Sequence, residues 1–187
     1  LPASLKAKVP MAAPARSKLW PQRSHARKVL MLMGCVQPSI MPNVNSATAR
    51  VLDAAGIQTL VADGAGCCGA LKTHLADVDG GLQDMRRNID AWWPYVEADV
   101  EAIVMTASGC GVTVKDYGHL LAHDPAYAER AEKISALTQD LAEILPTFEK
   151  ELAARVKISK RVAWHPPCTL QHGQQIRGKV ESVLRAV

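Results

Sequence analysis

Apolar positions along this chain alternate between short unbroken runs and longer stretches at helical spacing. Residues 28–33 form the first run, long enough for a buried strand. A loop with Pro38 and Pro42 follows, then a helix from Asn45 or Ser46 to Ala55. Val44, Ala47, Val51 and Ala55 supply its apolar stripe, and Gly56 is a suitable stop. Residues 57–62 predict a second strand that ends in Asp63-Gly64-Ala65-Gly66. Leu82, Met85, Ile89 and Trp92 predict a helix over 79–93. A third strand is expected at 102–106 and a short helix at 112–121. Residues 126–152 read as one long helix or two shorter ones, with Pro146 forcing a break near Leu145. A fourth strand is expected at 162–165.

Strands alternating with helices define an α/β fold, a parallel sheet flanked by helices. In such a sheet the carboxyl ends of the strands share one crest, where ligands bind. The chain also rhymes with itself. The run 29–35, its polar loop and the helix containing Val51 match the run 162–168, its loop and the helix containing Val183. This reads as a repeated unit whose second copy is cut off after its first helix. The expected division is a basic Pro-containing linker at 1–27, a complete first unit at 28–158 and the start of a second at 159–187. Because the chain starts without Met and stops inside an expected helix, it reads as part of something longer.

Charge changes the picture in one respect. Seven of the 22 Lys and Arg residues lie within residues 1–28, which hold no acid. Setting those seven aside leaves 15 basic residues against 18 acidic ones, so the folded part is mildly acidic and has no nucleic-acid footprint. The basic tail reads as a solvated linker able to rest on anionic lipid or a partner. Apolar residues make up 48% and no stretch approaches the roughly 20 apolar residues of a membrane span.

The candidate chemistry lies in the cysteines. Cys35, the adjacent pair Cys67-Cys68, Cys110 and Cys168 each trail a predicted strand, so the sheet brings sulfurs distant in sequence to one edge. Five is an odd number and adjacent cysteines rarely bridge, which disfavours a disulfide framework and favours a reducing compartment. Soft thiolates suit iron–sulfur chemistry or zinc. An adjacent pair is awkward for one small ion and easier for a larger multi-iron cluster. Glycines crowd these positions (Gly34, Gly64, Gly66, Gly69, Gly109, Gly111) and let backbone approach such a body closely. His165 and His172 flank Cys168 and are expected in loop packing, while His74, His119 and His123 read as surface residues. Trp92 is expected in the core and Trp93 partly exposed. Lys115, Asp116 and Tyr117 read as a solvated helix face. No phosphate loop, nucleophile elbow or carboxylate pair stands out.

Gly66-Cys67-Cys68-Gly69, with Cys35 and Cys110-Gly111, resembles the cysteine-rich CCG domain that occurs twice in heterodisulfide reductase B-type subunits and their relatives. The stretches 106–112 and 164–174 are similar to one branch, the iron–sulfur subunit of glycolate oxidase (glycolate dehydrogenase). The resemblance implies a 4Fe-4S cluster held by Cys35, Cys67, Cys68 and Cys110, with Cys168 opening a second site. It also implies an oxidoreductase subunit in the cytoplasm or on the cytoplasmic face of the inner membrane, which passes electrons from an FAD-containing partner to a membrane acceptor. In that family a ferredoxin-like domain precedes the repeats; no C-x-x-C-x-x-C run occurs here. Ala107 stands where the family pattern has a further cysteine. Two alternatives stay open: a heterodisulfide-type thiol/disulfide enzyme, and an interaction module whose thiols hold zinc or nothing.

Overall fold

The computed structural model describes residues 19–156 and 159–187. Residues 1–18 of the expected linker and 157–158, at the expected end of the first unit, lie outside them. Four parallel strands form one sheet: β1 (Arg27–Met31), β2 (Ile57–Leu60), β3 (Ile103–Met105) and β4 (Thr138–Asp140), in the order β2-β1-β3-β4. Leu30 is opposite both Leu60 and Ile103, and Met105 is opposite Asp140. Helices pack on both faces: α1 (Gln37–Ile40), α2 (Pro42–Ala54), α3 (Ala70–His74), α4 (Val78–Glu97), α5 (Ser108–Lys115), α6 (Tyr117–Leu120), α7 (Ala128–Leu137), α8 (Leu141–Ile144), α9 (Glu149–Arg155) and α10 (Lys179–Ala186). The expected α/β class is therefore present.

Alternation along the strands divides the core in two. Leu30, Leu32, Ile103 and Met105 face α4, α6 and α7, where Met85, Ile89, Trp92, Tyr117 and Ile134 are fully buried. Val29 and Val104 face the other way, onto Leu52, Ile144 and Phe148. With both faces covered, the strands read as unbroken apolar runs, which is why they are legible in the sequence.

Several elements differ from expectation. Pro38 and Pro42 do not mark a loop; they lie in the first turns of α1 and α2, where a missing N–H costs nothing. The buried face of α2 is Asn45, Thr48, Ala49 and Leu52, not the stripe of Val44, Ala47, Val51 and Ala55. That is a rotation of about one residue, because the inward face of this helix is partly polar. Within the expected helical stretch 126–152 lies β4, whose sequence Thr-Gln-Asp has no apolar pattern. It is extended because it pairs with β3 and because Asp140 caps α8 through a capping box with Glu143. The expected strand at 162–165 is not formed: these residues are exposed, unpaired among the described residues, and precede a π-helical turn, Thr169–Gly173. An extended segment needs a neighbour for its backbone groups, and β4 already occupies the position beside β3. Tyr117 is fully buried, not on a solvated face.

The start of α3 lies against α4 at Gly69, which has φ +92° and whose added Cβ would stand 2.7 Å from the Gly81 carbonyl oxygen. Gly34 also has positive φ, but open space surrounds it. Gly34→Ala therefore carries only the left-handed strain of about 1–2 kcal/mol. Gly69→Ala adds a backbone overlap, for a total of about 3 kcal/mol or more. Urea denaturation of both variants checks this; equal losses would show that the Gly69–Gly81 approach carries no weight.

Candidate metal centre

The cysteine loops emerge from three neighbouring strands at their carboxyl ends. Cys35 lies four residues beyond β1, Cys67 and Cys68 lie on the loop between β2 and α3, and Cys110 is in the first turn of α5, after β3. All four thiols line one cleft of about 700 Å³, which Leu71, Met85, Val112 and Leu120 make largely apolar. The sulfurs of Cys35 and Cys67 are 3.5 Å apart. Cys168 is exposed and does not line the cleft, although the adjacent Thr169 does. A hydroxyl pair, Ser108 Oγ to Thr169 Oγ1 at 2.6 Å, ties that segment to the start of α5.

Electrostatics within the cleft follow from crowding. Cys110 donates its thiol proton to the Cys68 sulfur, and the Ala70 N–H donates to the same sulfur. Cys68 is thereby lowered to about 6, mainly by the Cys110 hydrogen bond and against the cost of burial. Cys110 is pushed up strongly, first by holding that shared proton and then by burial. Burial also raises Cys67, although the Gly69 N–H donates to its sulfur. So the thiolate is favoured at Cys68 and disfavoured at Cys67 and Cys110, since burial and neighbouring like charges in an apolar cleft oppose ionisation. A soft cation reverses that balance, because thiolate ligands give up their protons on binding metal.

Outside the thiols, the cleft is held by polar side chains that the sequence pattern does not announce. Asn88 on α4 accepts a hydrogen bond from the Gly66 N–H at 2.8 Å and donates to the Cys67 carbonyl at 2.7 Å. Its amide also donates to the Tyr117 hydroxyl at 3.1 Å, which donates to the Cys68 carbonyl at 2.8 Å. Trp92 stacks on Tyr117 with ring centroids 6.5 Å apart. The available signal was Asn88 sitting three residues after Met85 and four before Trp92, on an otherwise apolar stripe. His74 and Asp116 reach the cleft rim, while His119, His123, His165 and His172 are exposed, and Trp93 is partly exposed as expected. Among the described residues no three His, Cys, Asp or Glu side chains converge to hold a single metal ion.

An α/β domain with a thiol-lined cleft on the crest of its parallel sheet is the class that fold and site define. Residues 29–115 match the family model described as a cysteine-rich domain, CCG. The glycolate oxidase iron–sulfur subunit of Escherichia coli (strain K12) is 50% identical over 184 residues, 98% of this chain and 45% of that protein. The probable glycolate oxidase iron–sulfur subunit of Bacillus subtilis (strain 168) is 25% identical over 162 residues, covering 86% of this chain and 36% of its own length. Lactate utilization protein A of Bacillus licheniformis is 26% identical over 141 residues, 75% of this chain and 57% of the relative. The chain thus spans less than half the length of the two glycolate oxidase relatives.

Access and ionisation pull apart at these thiols. Cys68 is lowered to about 6 but only 4% exposed, whereas Cys35 and Cys168 are exposed. Access should win: in the metal-free chain, iodoacetamide is expected to label Cys35 and Cys168 well before Cys68. Peptide mapping over time checks the order, and early labelling of Cys68 would mean that the pair loop opens in solution.

Proposed function

We propose that this chain is part of the iron–sulfur subunit of a flavin-dependent glycolate, or related 2-hydroxyacid, dehydrogenase. In this reading Cys35, Cys67, Cys68 and Cys110 hold a 4Fe-4S cluster. The observation that carries it is the convergence of four thiols from three crest loops on one apolar cleft. The donor set fits: soft sulfurs suit iron, and four cysteines complete a four-iron cluster. Bound there, such a cluster supplies one-electron transfer. The chain's own residues deprotonate to bind it, flank it with the apolar side chains of Leu71, Met85 and Leu120, and direct the Gly69 and Ala70 N–H groups at the Cys67 and Cys68 sulfurs. Hydrogen bonds to cluster sulfurs and exclusion of solvent are what tune potential.

Support for the complex comes from the relatives, which are named as iron–sulfur subunits of glycolate oxidase or as lactate utilization protein A. Substrate oxidation and FAD belong to a partner subunit in this proposal, and the electrons pass on to a membrane acceptor. Placement follows from that: cytoplasmic, with the basic N-terminal stretch resting on the inner membrane. No described helix is long and apolar enough to cross a bilayer. Cys168 opens a second site in this reading and is not a ligand of the first.

A second reading draws on a neighbouring apolar pocket of about 360 Å³, which shares Cys35, Ala107 and Cys110 with the thiol cleft. Space beside Ala107 favours a thiol/disulfide reaction of the heterodisulfide type, which turnover with disulfide substrates would reveal.

Anaerobic incubation with ferrous iron and sulfide tests the main reading. The chain is expected to retain about four irons, Cys67→Ser and Cys68→Ser each to lose them, and Cys168→Ser to keep them. Normal iron content in either of the first two variants contradicts the ligand assignment. Reassembly with the flavin subunit should then give glycolate-dependent bleaching of the cluster, and none with disulfides.

A further inference from the structure

We propose that Asn45 and Asn88 are positioning residues that brace the thiol loops from opposite faces of the sheet and so hold the four thiols on one cleft. This rests on the cluster reading above. Both side chains are buried, at 1% and 0% exposure, on α2 and α4, which cover different faces. Their partners all lie on the crest or on α1 and α6 beside it. Asn45 donates to the Met33 carbonyl at 3.0 Å, two residues before Cys35. Its oxygen accepts from Gln37 at 3.2 Å, two residues after Cys35, and from the Thr106 hydroxyl at 2.8 Å, four residues before Cys110. Asn45 therefore couples the loop of Cys35 to the loop of Cys110. Asn88 does the same for the pair loop, bonding Gly66 and Cys67 directly and Cys68 through Tyr117.

Simple fold stabilisation does not ask for this chemistry. A buried helix position facing the core is ordinarily filled by an apolar side chain, and asparagine is a poor helix former. Burying a carboxamide is tolerable only when its donors and acceptor are satisfied, and neither amide is left with an unsatisfied buried atom. Together the two residues tie down all three thiol-bearing loops, and neither contributes a ligand. The arrangement has the form of the outer layer around a metal centre, in which hydrogen bonds orient the groups that ligate.

The test uses Asn45→Asp and Asn88→Asp, which keep shape while replacing an N–H donor by an acceptor facing a carbonyl. Phe148→Leu is the control, a core truncation on the α8 side away from the crest. Each chain is loaded anaerobically with ferrous iron and sulfide, and its urea midpoint is measured alongside. Readouts are the rate of iron release to a chelator and the electron paramagnetic resonance spectrum after reduction. Folded Asn variants are expected to release iron at least about tenfold faster, with shifted spectra, while Phe148→Leu behaves as wild type once loaded. Release and spectra equal to wild type in both Asn variants overturn the inference while leaving the cluster reading intact. A wild-type chain that binds no cluster overturns both. Should an Asn variant fail to fold, Tyr117→Phe removes only the hydroxyl bonds of the same network: faster release supports the inference, and unchanged release overturns it.

Discussion

Parallel pairing of β1 between β2 and β3 is the constraint on which the rest of this structure depends. Because all three strands run the same way, the three loops that leave their carboxyl ends open at one edge, and each loop carries thiol. Antiparallel pairing of any one would send its cysteine to the opposite end of the sheet. No local motif gathers Cys35, Cys67, Cys68 and Cys110; the separation between the first and last is spanned by the sheet alone. The burial of both sheet faces then fixes the register, since sliding a strand by one residue would turn its apolar side chains to the wrong layer.

Gathering thiols raises an electrostatic problem that shapes the cleft. Cys68 is lowered first by its hydrogen bond with Cys110 and further by the Ala70 N–H and Cys67, against the cost of burial, while Cys110 is raised. Burial therefore disfavours the thiolate at Cys67 and Cys110, and a soft cationic body would favour it. Backbone N–H groups at the start of α3 lower the cost of negative charge on the Cys67 and Cys68 sulfurs without bringing in water. Glycine at position 69 is part of the same device: its left-handed backbone lets α3 begin immediately after Cys68 while lying against Gly81.

What the chain discloses before folding is uneven, and the reasons are physical. Strand runs at 28–33, 57–62 and 102–106 stood out because a doubly covered parallel sheet has no polar face to blur them, and the four cysteines followed from those runs. Elements held by tertiary contacts were silent. β4 is a polar tripeptide made extended by its neighbour, and α5 starts inside Ser108-Gly109-Cys110-Gly111, where propensity argues against a helix. The apolar segment Val162–Trp164 misled in the opposite direction, because a strand-like composition does nothing without an edge to join. Asn45 and Asn88 escaped for a related reason: a polar residue on an apolar stripe registers as noise until its partners are seen. The match to the cysteine-rich domain over 29–115 covers the span in which the crest loops occur.

The central claim is that these four sulfurs hold a multi-iron cluster rather than one ion or none. X-ray absorption at the iron edge of the anaerobically loaded chain tests it most directly. The account predicts a first shell made only of sulfur, together with a short iron–iron vector. A shell of oxygen and nitrogen, or sulfur ligation without any iron–iron vector, would contradict it.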